Sequence, residues 1–267
     1  MNPIASRMRQ ILLLVIVFTA SLSSAQILKV DKGHLSSDSS NYLTGIVDGS
    51  IAINNRSSTA DQQNVYIGLR NNMDLVYVAK ESATILIGGF NYFKIGSGPI
   101  ISNGTGHLRE IFRRNNKLTP ELFGQLQYDQ SRRMEARELI GGGLRWQVLK
   151  GKHSLNLGLG AFHEHERWDG VDQIILKDLW KMNSYLSGEI NVTNRMQINA
   201  IAYFQSGNDA SISSFRSRVS GHIEFKDKIS ERFKVKLSGD FLLDDRPIIP
   251  LNRLIYETYF GLEYSFN

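Results

Sequence analysis

The sequence predicts an all-β protein, a transmembrane antiparallel up-and-down β-barrel of about twelve strands. Three observations lead to this fold class. Apolar and polar residues alternate with a period of two, turn residues separate the alternating segments, and aromatic residues stand near the ends of several apolar faces. No second long apolar segment follows the N-terminal one, which is itself shorter than the ~20 residues of a membrane-spanning helix. A helical inner-membrane protein is therefore excluded.

The chain begins with the features of a signal peptide. Arg7 and Arg9 precede an apolar run at 11–20, and small residues ending at Ala25 form a cleavage site. We therefore expect a signal peptide at 1–25, a periplasmic lead-in at 26–40 and the transmembrane barrel at 41–267. Export and a barrel together predict the bacterial outer membrane as the location.

The clearest alternation lies near the C-terminus. Phe215, Ile223 and Phe225 share one face of a predicted strand, and Arg216 and Glu224 share the other. Helical spacing does not fit this pattern. Taken along the chain, the pattern predicts strands at 41–54, 64–79, 83–96, 104–116, 120–129, 137–149, 153–166, 178–192, 196–206, 213–226, 232–243 and 253–266.

The predicted connections alternate in length, as in bacterial barrels with short periplasmic turns and longer outer loops. An even number of strands then places both termini in the periplasm. The least regular strand is 104–116, because Glu110 shares a face with Leu108 and Phe112. Either a bulge shifts the register there or Glu110 lies near a rim of the barrel.

Composition excludes several functions. The 31 Lys and Arg exceed the 26 Asp and Glu by 5, and removal of Arg7 and Arg9 lowers this excess to 3. The basic residues are spread along the chain, so no nucleic-acid partner is expected. No phosphate-binding loop, nucleophile elbow or cysteine pair is present, and no cofactor is expected.

The C-terminal segment alternates apolar and aromatic residues at Phe260, Leu262, Tyr264 and Phe266. It is similar to the C-terminal signal that the barrel-assembly machinery recognises, although in that signal the aromatic residue is last, whereas here Asn267 follows. The resemblance implies the assembly machinery as a partner. A lipid-facing strand also implies contact with outer-membrane lipid and lipopolysaccharide.

Two segments in the middle of the chain carry a family resemblance. The first, 121–129, is a strand with aromatic and acidic residues, and the second, 137–145, begins with an arginine and continues as a glycine-rich strand. Together they resemble the salt-induced outer-membrane protein family, a domain family of unknown function. The resemblance implies an outer-membrane barrel over most of the mature chain and transfers no catalytic residue.

The same two segments contain a candidate site. Their alternation places Glu121, Asp129, Arg137 and Arg145 on the inward faces of their strands. We expect these four residues to pair across adjacent strands as an ion network in the lumen. Because buried charges need partners, a structural network is favoured over a substrate-binding site.

His163 and His165 share one face of a strand, but two imidazoles do not complete a zinc site, and no metal site is assigned. A polar outer rim is the favoured interpretation. Ser184 and His163 are the one candidate pair for a lipid hydrolase, and no residue that would orient the histidine is evident.

Three functions stay open: a structural or stress-related envelope protein with a narrow or plugged lumen, a small-solute pore, and a lipid-modifying barrel enzyme. The first is favoured, because about twelve strands lie between filled eight-stranded barrels and open porins of sixteen or more. The pore hypothesis also lacks an obvious long loop that could form a constriction.

Overall fold

A computed structural model describes residues 41–54, 66–94 and 100–266. The predicted signal peptide at 1–25 and lead-in at 26–40 lie outside these ranges. Within them, no helix is long and apolar enough to cross a membrane.

The described residues form a closed antiparallel barrel in which each strand pairs with its neighbours in sequence and β1 pairs with β12. The predicted fold class is therefore confirmed. The strands are β1 Tyr42–Asn54, β2 Tyr66–Val78, β3 Ser82–Lys94, β4 Ile100–Phe112, β5 Leu118–Asp129, β6 Met134–Leu149, β7 His153–Asp169, β8 Ile174–Asn191, β9 Met196–Asp209, β10 Ser214–Lys228, β11 Phe233–Asp244 and β12 Leu254–Phe266.

The seam between β1 and β12 removes the two free edges of the sheet. Its register runs from Gly45 opposite Phe266 to Asn54 opposite Glu257. Closure matters in a bilayer, because unpaired backbone groups have no water to bond with there.

The two faces of the wall differ as the alternation predicts. On β11, Phe233, Leu237 and Phe241 are exposed on the outside, whereas Lys236 and Asp240 are buried in the lumen. The outer surface therefore carries the apolar residues, and the inward face carries many of the charges.

Several predicted boundaries were wrong. β4 begins at Ile100 and ends at Phe112, and its pairing with β3 and β5 has no register shift. Glu110 therefore lies two residues from a strand end, near the rim, where Thr84 Oγ1 donates a hydrogen bond of 2.6 Å to it. The long loop expected at 167–177 shrinks to 170–173, because β7 and β8 both extend past the predicted ends.

Three aromatic rings lie directly over glycines on the neighbouring strand, and one of them is Tyr128 over Gly104. Tyr185 is paired with Gly158, and a Cβ added at Gly158 would overlap its ring. Phe241 and Gly221 repeat this arrangement on the outer surface. The missing side chain at Gly158 lets Tyr185 lie along the lumen wall, which positions its hydroxyl group for the contact described below.

The topology can be tested with single cysteines, because the chain has no native cysteine. Asp172 lies in the 170–173 connection and Lys152 in the turn at the opposite end of the barrel, and both are exposed. With periplasmic termini, Asp172→Cys should react with a membrane-impermeant maleimide on intact cells, and Lys152→Cys should react only after lysis. Labelling of position 152 alone on intact cells would mean that the orientation is inverted.

Candidate functional site

Six charged side chains meet inside the barrel and form what we call the central ion network: Arg137, Glu164, Glu166, Lys181, Arg218 and Asp244. Arg137 lies 2.5 Å from Glu164 and 3.1 Å from Glu166. Lys181 lies 2.5 Å from Glu164, and Arg218 lies 2.9 Å from Asp244. All six are buried. Three cations and three carboxylates balance one another, as burial of charge requires.

The central ion network crosses the lumen. Arg218 on β10 lies 3.6 Å from Glu164 and 3.5 Å from Glu166, both on β7. Strands β8 and β9 separate β7 from β10 along the wall, so these contacts span the interior and do not follow the sheet.

A second set of contacts, the tyrosine network, consists of Arg109, Glu121 and Tyr185, and Arg145 lies nearby. Glu121 accepts hydrogen bonds from Arg109 at 3.2 Å and from Tyr185 at 3.0 Å. The Arg109 guanidinium also lies 5.8 Å from the centre of the Tyr185 ring, within cation–π range. Because β5 and β8 are not neighbours, the bond between Tyr185 and Glu121 is another contact across the lumen.

Near the connection between β2 and β3, the inward faces of β2, β3 and β4 are apolar. Val76, Val78, Ile85 and Ile111 are buried there and form one cluster with Tyr185 and Tyr203, which reach them from β8 and β9. This cluster fills the lumen beside the tyrosine network with side chains that water does not solvate well.

A third ionic group lies on the wall formed by β10, β11 and β12. Lys226 is 2.6 Å from Glu263 and 3.4 Å from Glu224, and Lys234 is 3.0 Å from Glu263. Lys226 on β10 reaches Glu263 on β12 over the intervening β11, so these pairs connect strands of one wall without crossing the interior.

The connection between β11 and β12, residues 245–253, turns into the mouth of the barrel at the end that also holds the 170–173 connection, and we call it the mouth loop. Its Ile249 and Leu251 are buried against Met134 of β6 and Trp168 of β7, on nearly the opposite side of the barrel. Asp245 at its base accepts a hydrogen bond of 2.8 Å from the Ser217 amide. The expectation that no loop could narrow the lumen was wrong.

The four predicted site residues all lie inside the barrel, but their partners differ from those expected. Glu121, Asp129 and Arg137 are buried. Arg137 pairs with glutamates of β7, and Glu121 pairs with Arg109. Arg145 donates a hydrogen bond of 3.1 Å to Asn156 and lies in the electrostatic range of Glu121.

The sequence analysis did not predict that Glu164, Glu166, Lys181, Arg218 and the mouth loop form one site. A signal was present in 163–166, where two histidines alternate with Glu164 and Glu166. If the histidines face outward, the glutamates must face inward, and Glu166 is directly opposite Arg137 in the register.

His163 and His165 lie on the outer face, half-exposed. His165 Nδ1 lies 2.7 Å from Asp178, and the His163 ring lies 5.3 Å from the ring of Trp180. Within the described residues, no group of three or more potential ligands could hold a metal ion.

The geometry does not bring Ser184 to His163. His163 is opposite Trp180 in the register, four positions from Ser184. Four positions along a strand correspond to about 13 Å, so the pair is not arranged for nucleophilic catalysis.

The predicted assembly signal lies on β12. Phe260 and Leu262 are exposed on the outer surface, and Tyr264 packs against Phe233 with ring centres 5.1 Å apart. The side chain of Phe266 lies outside the described residues, although its backbone pairs with Gly45.

Comparison with known proteins identifies a family. The model of a family described as "Protein of unknown function, DUF481" matches residues 102–266, which is more than half of the 267 residues. No curated protein sequence matches the chain.

Solved structures of outer-membrane barrels share the fold. An outer-membrane channel from Pseudomonas putida F1 aligns with a TM-score of 0.53 and 9% identity, covering 89% of this chain and 100% of that chain. The translocator domain of the autotransporter NalP from Neisseria meningitidis gives 0.52 and 7%, covering 99% and 98%. The NanC porin gives 0.50 and 9%, covering 82% and 100%. At such identities the similarity shows the fold alone.

The burial of the central ion network predicts a large cost for removing one member. Arg137→Ala leaves Glu164 and Glu166 with one cation fewer and should lower the free energy of unfolding by about 3–5 kcal/mol. The control is Arg167→Ala, which removes an exposed ion pair with Glu135 on the outside of the same strand pair and should cost at most about 1 kcal/mol. Urea unfolding, followed by the gel shift of unboiled protein, measures both. Equal losses would contradict the structural role of the network.

Proposed function

The chain belongs to the DUF481 family of proteins of unknown function, and from that premise we propose that it is a structural barrel of the bacterial outer membrane whose lumen is closed at rest. The observation that carries the proposal is the set of contacts that cross the lumen. Arg218 reaches Glu164 and Glu166, and Tyr185 reaches Glu121. A solute passing through would have to separate these buried groups.

The mouth loop adds a second barrier. Ile249 and Leu251 are almost completely buried between the loop and the far wall, so a hydrated ion entering from outside meets apolar side chains first. The two prolines of the loop, Pro247 and Pro250, restrict its backbone and favour a fixed position. The contacts across the lumen and the mouth loop are both formed by residues of this chain, so closure needs no partner protein.

The location in the outer membrane is supported by the outward faces. Large apolar residues are exposed on many of the strands, among them Leu126, Ile140, Met182 and Phe215, and lipid is the solvent that favours such a surface. The proposed partners follow from the location: outer-membrane lipid and lipopolysaccharide around the wall, and the barrel-assembly machinery acting on β12. Export would depend on the signal peptide at 1–25.

One observation favours a second function, a narrow pore for small solutes. A polar cavity of about 60 Å³ remains in the middle of the lumen, and the Pseudomonas putida protein that shares the fold is described as a channel. This volume holds only a few water molecules. A pore would therefore need both barriers to move.

The resemblance to salt-induced outer-membrane proteins extends the proposal to a role under salt stress. The physical basis is that salt screens exposed charge pairs strongly and buried ones weakly. The pairs that hold this barrel closed are buried, so high salt should leave the closed state intact.

Conductance decides between the closed barrel and the pore. In a planar bilayer, the refolded wild-type protein should give no steady single-channel current. A combined variant that replaces 246–252 with a short glycine–serine linker and carries Glu164→Gln and Glu166→Gln should conduct, because both barriers are weakened. The Arg167→Ala variant, which alters only the outer surface, should remain silent. Robust currents from the wild type would overturn the proposal and favour the pore.

The stress role has its own test in cells. The amount of the protein should rise severalfold after a shift to high sodium chloride, and a deletion strain should grow more slowly there than its parent. Sucrose at equal osmolarity separates an effect of salt from an effect of osmotic pressure. Unchanged abundance and growth in salt would remove the stress role and leave the closed barrel standing.

A further inference from the structure

The cavity in the middle of the lumen has an unusual electrostatic character. Its wall includes four arginines, Arg109, Arg132, Arg137 and Arg218, and its other polar members are neutral amide, hydroxyl and imidazole groups. No carboxylate belongs to this lining. The acidic partners of the arginines, such as Glu121 and Glu164, do not line the cavity, so its charged lining residues are cations.

The charges around the cavity do not cancel. The central ion network is balanced, with three charges of each sign. Arg109 of the tyrosine network and the nearby Arg145 stand against the single carboxylate of Glu121, which leaves one positive charge in excess. Arg132 and Asp129, both buried nearby, balance each other formally. Arg109 is buried and Arg145 is half-buried, so water screens this excess only in part and a counter-charge would stabilise it.

Buried side chains that line the cavity also have polar atoms without a hydrogen-bond partner, among them Nε of Arg109, Nε2 of His107 and the hydroxyl of Tyr203. The Arg109 and His107 side chains are almost fully buried, at 6% and 4% exposure. The Arg109 Nε–H lacks an acceptor, and an unpaired buried donor of this kind needs an explanation such as a bound water or ion.

We propose that this cavity is an anion site that holds one small monovalent anion, with chloride as the ligand. The size of the cavity, about 60 Å³, excludes sugars and large organic anions. The N–H groups of the guanidinium and amide side chains are the donors that such an anion takes. The anion supplies the missing negative charge and accepts from Arg109, and so completes the contacts that close the lumen.

The site is reached from the outer mouth, under the mouth loop. Met134 and Trp168 line the cavity and also contact Ile249 and Leu251 of the loop. The chamber therefore lies immediately beneath the apolar residues that cover it.

Thermal unfolding at constant ionic strength tests the proposal. The folded barrel is dialysed into sodium gluconate, whose anion is too large for the cavity, and gluconate is replaced stepwise by chloride. The midpoint should rise by about 3–5 °C and then saturate, as expected for a ligand that binds only the folded state.

Asn183→Asp is the decisive variant. Asn183 lines the cavity, and its replacement places a fixed carboxylate where the anion would bind, with almost no change in shape. The variant should match the chloride-bound wild type when measured in gluconate and should no longer respond to chloride. The control is Asn194→Asp, the same change at an exposed position in the turn between β8 and β9, outside the cavity, and it should keep the chloride response.

A second readout does not depend on stability. Replacing Trp146 and Trp180 with Phe leaves Trp168 as the only tryptophan of the three in the chain. Iodide should then quench its fluorescence saturably, and caesium should not, while in the Asn183→Asp background iodide should lose this effect.

Identical midpoints in chloride and gluconate, together with equal quenching by iodide and caesium, would mean that only water fills the cavity and would overturn the proposal. These outcomes are independent of conductance. Conductance reports whether the lumen is open, and the chloride and iodide responses report whether an anion binds. The two measurements therefore distinguish a closed barrel without an anion from a conducting barrel with one.

Discussion

The rest of this structure depends on one constraint, the need to pair every backbone amide and carbonyl in a solvent that offers no partners. Closing β12 onto β1 meets that need. Once the sheet is closed, the pleat sends alternate side chains to lipid and to the lumen. The outward residues can be apolar and conformationally free. The inward residues must instead fit into a twelve-stranded interior and satisfy one another there.

The polar interior follows from that crowding. A buried carboxylate such as Glu164 is stabilised only by close cations, and here Arg137 and Lys181 both approach it at 2.5 Å. In a narrow lumen the nearest cation can stand on a strand that is not a neighbour, as Arg218 does. The pairing that compensates for burial therefore also ties opposite walls together. Stability of the interior and closure of the lumen arise from the same contacts.

The periodic part of this arrangement could be predicted from the sequence, and the non-periodic part could not. Alternation assigned the inward face correctly for Arg137, Glu121 and the residues of β10 and β11, because the side-chain period of a strand is fixed by its geometry. It could not choose between β5 and β7 as the source of partners for Arg137, since both flank β6 and both carry inward carboxylates. The mouth loop was missed for a related reason. Ile249 and Leu251 pack against residues about 80 to 120 positions earlier in the chain, and no local pattern reports such a contact.

The two kinds of barrier also differ in how they could open. The mouth loop packs through apolar contacts that are individually weak and not directional, so it could move without leaving a charge unpaired. The central ion network cannot open in this way. Moving Arg218 away from Glu164 and Glu166 would leave these buried carboxylates with one cation fewer, because Lys181 and Arg137 are already paired with them. A passage that opened at the mouth would thus still end at the network. In the proposed closed state, electrostatics hold the centre of the lumen and hydrophobic packing covers the end at the mouth loop. This division explains why the cavity between the two can persist without connecting the two sides of the membrane.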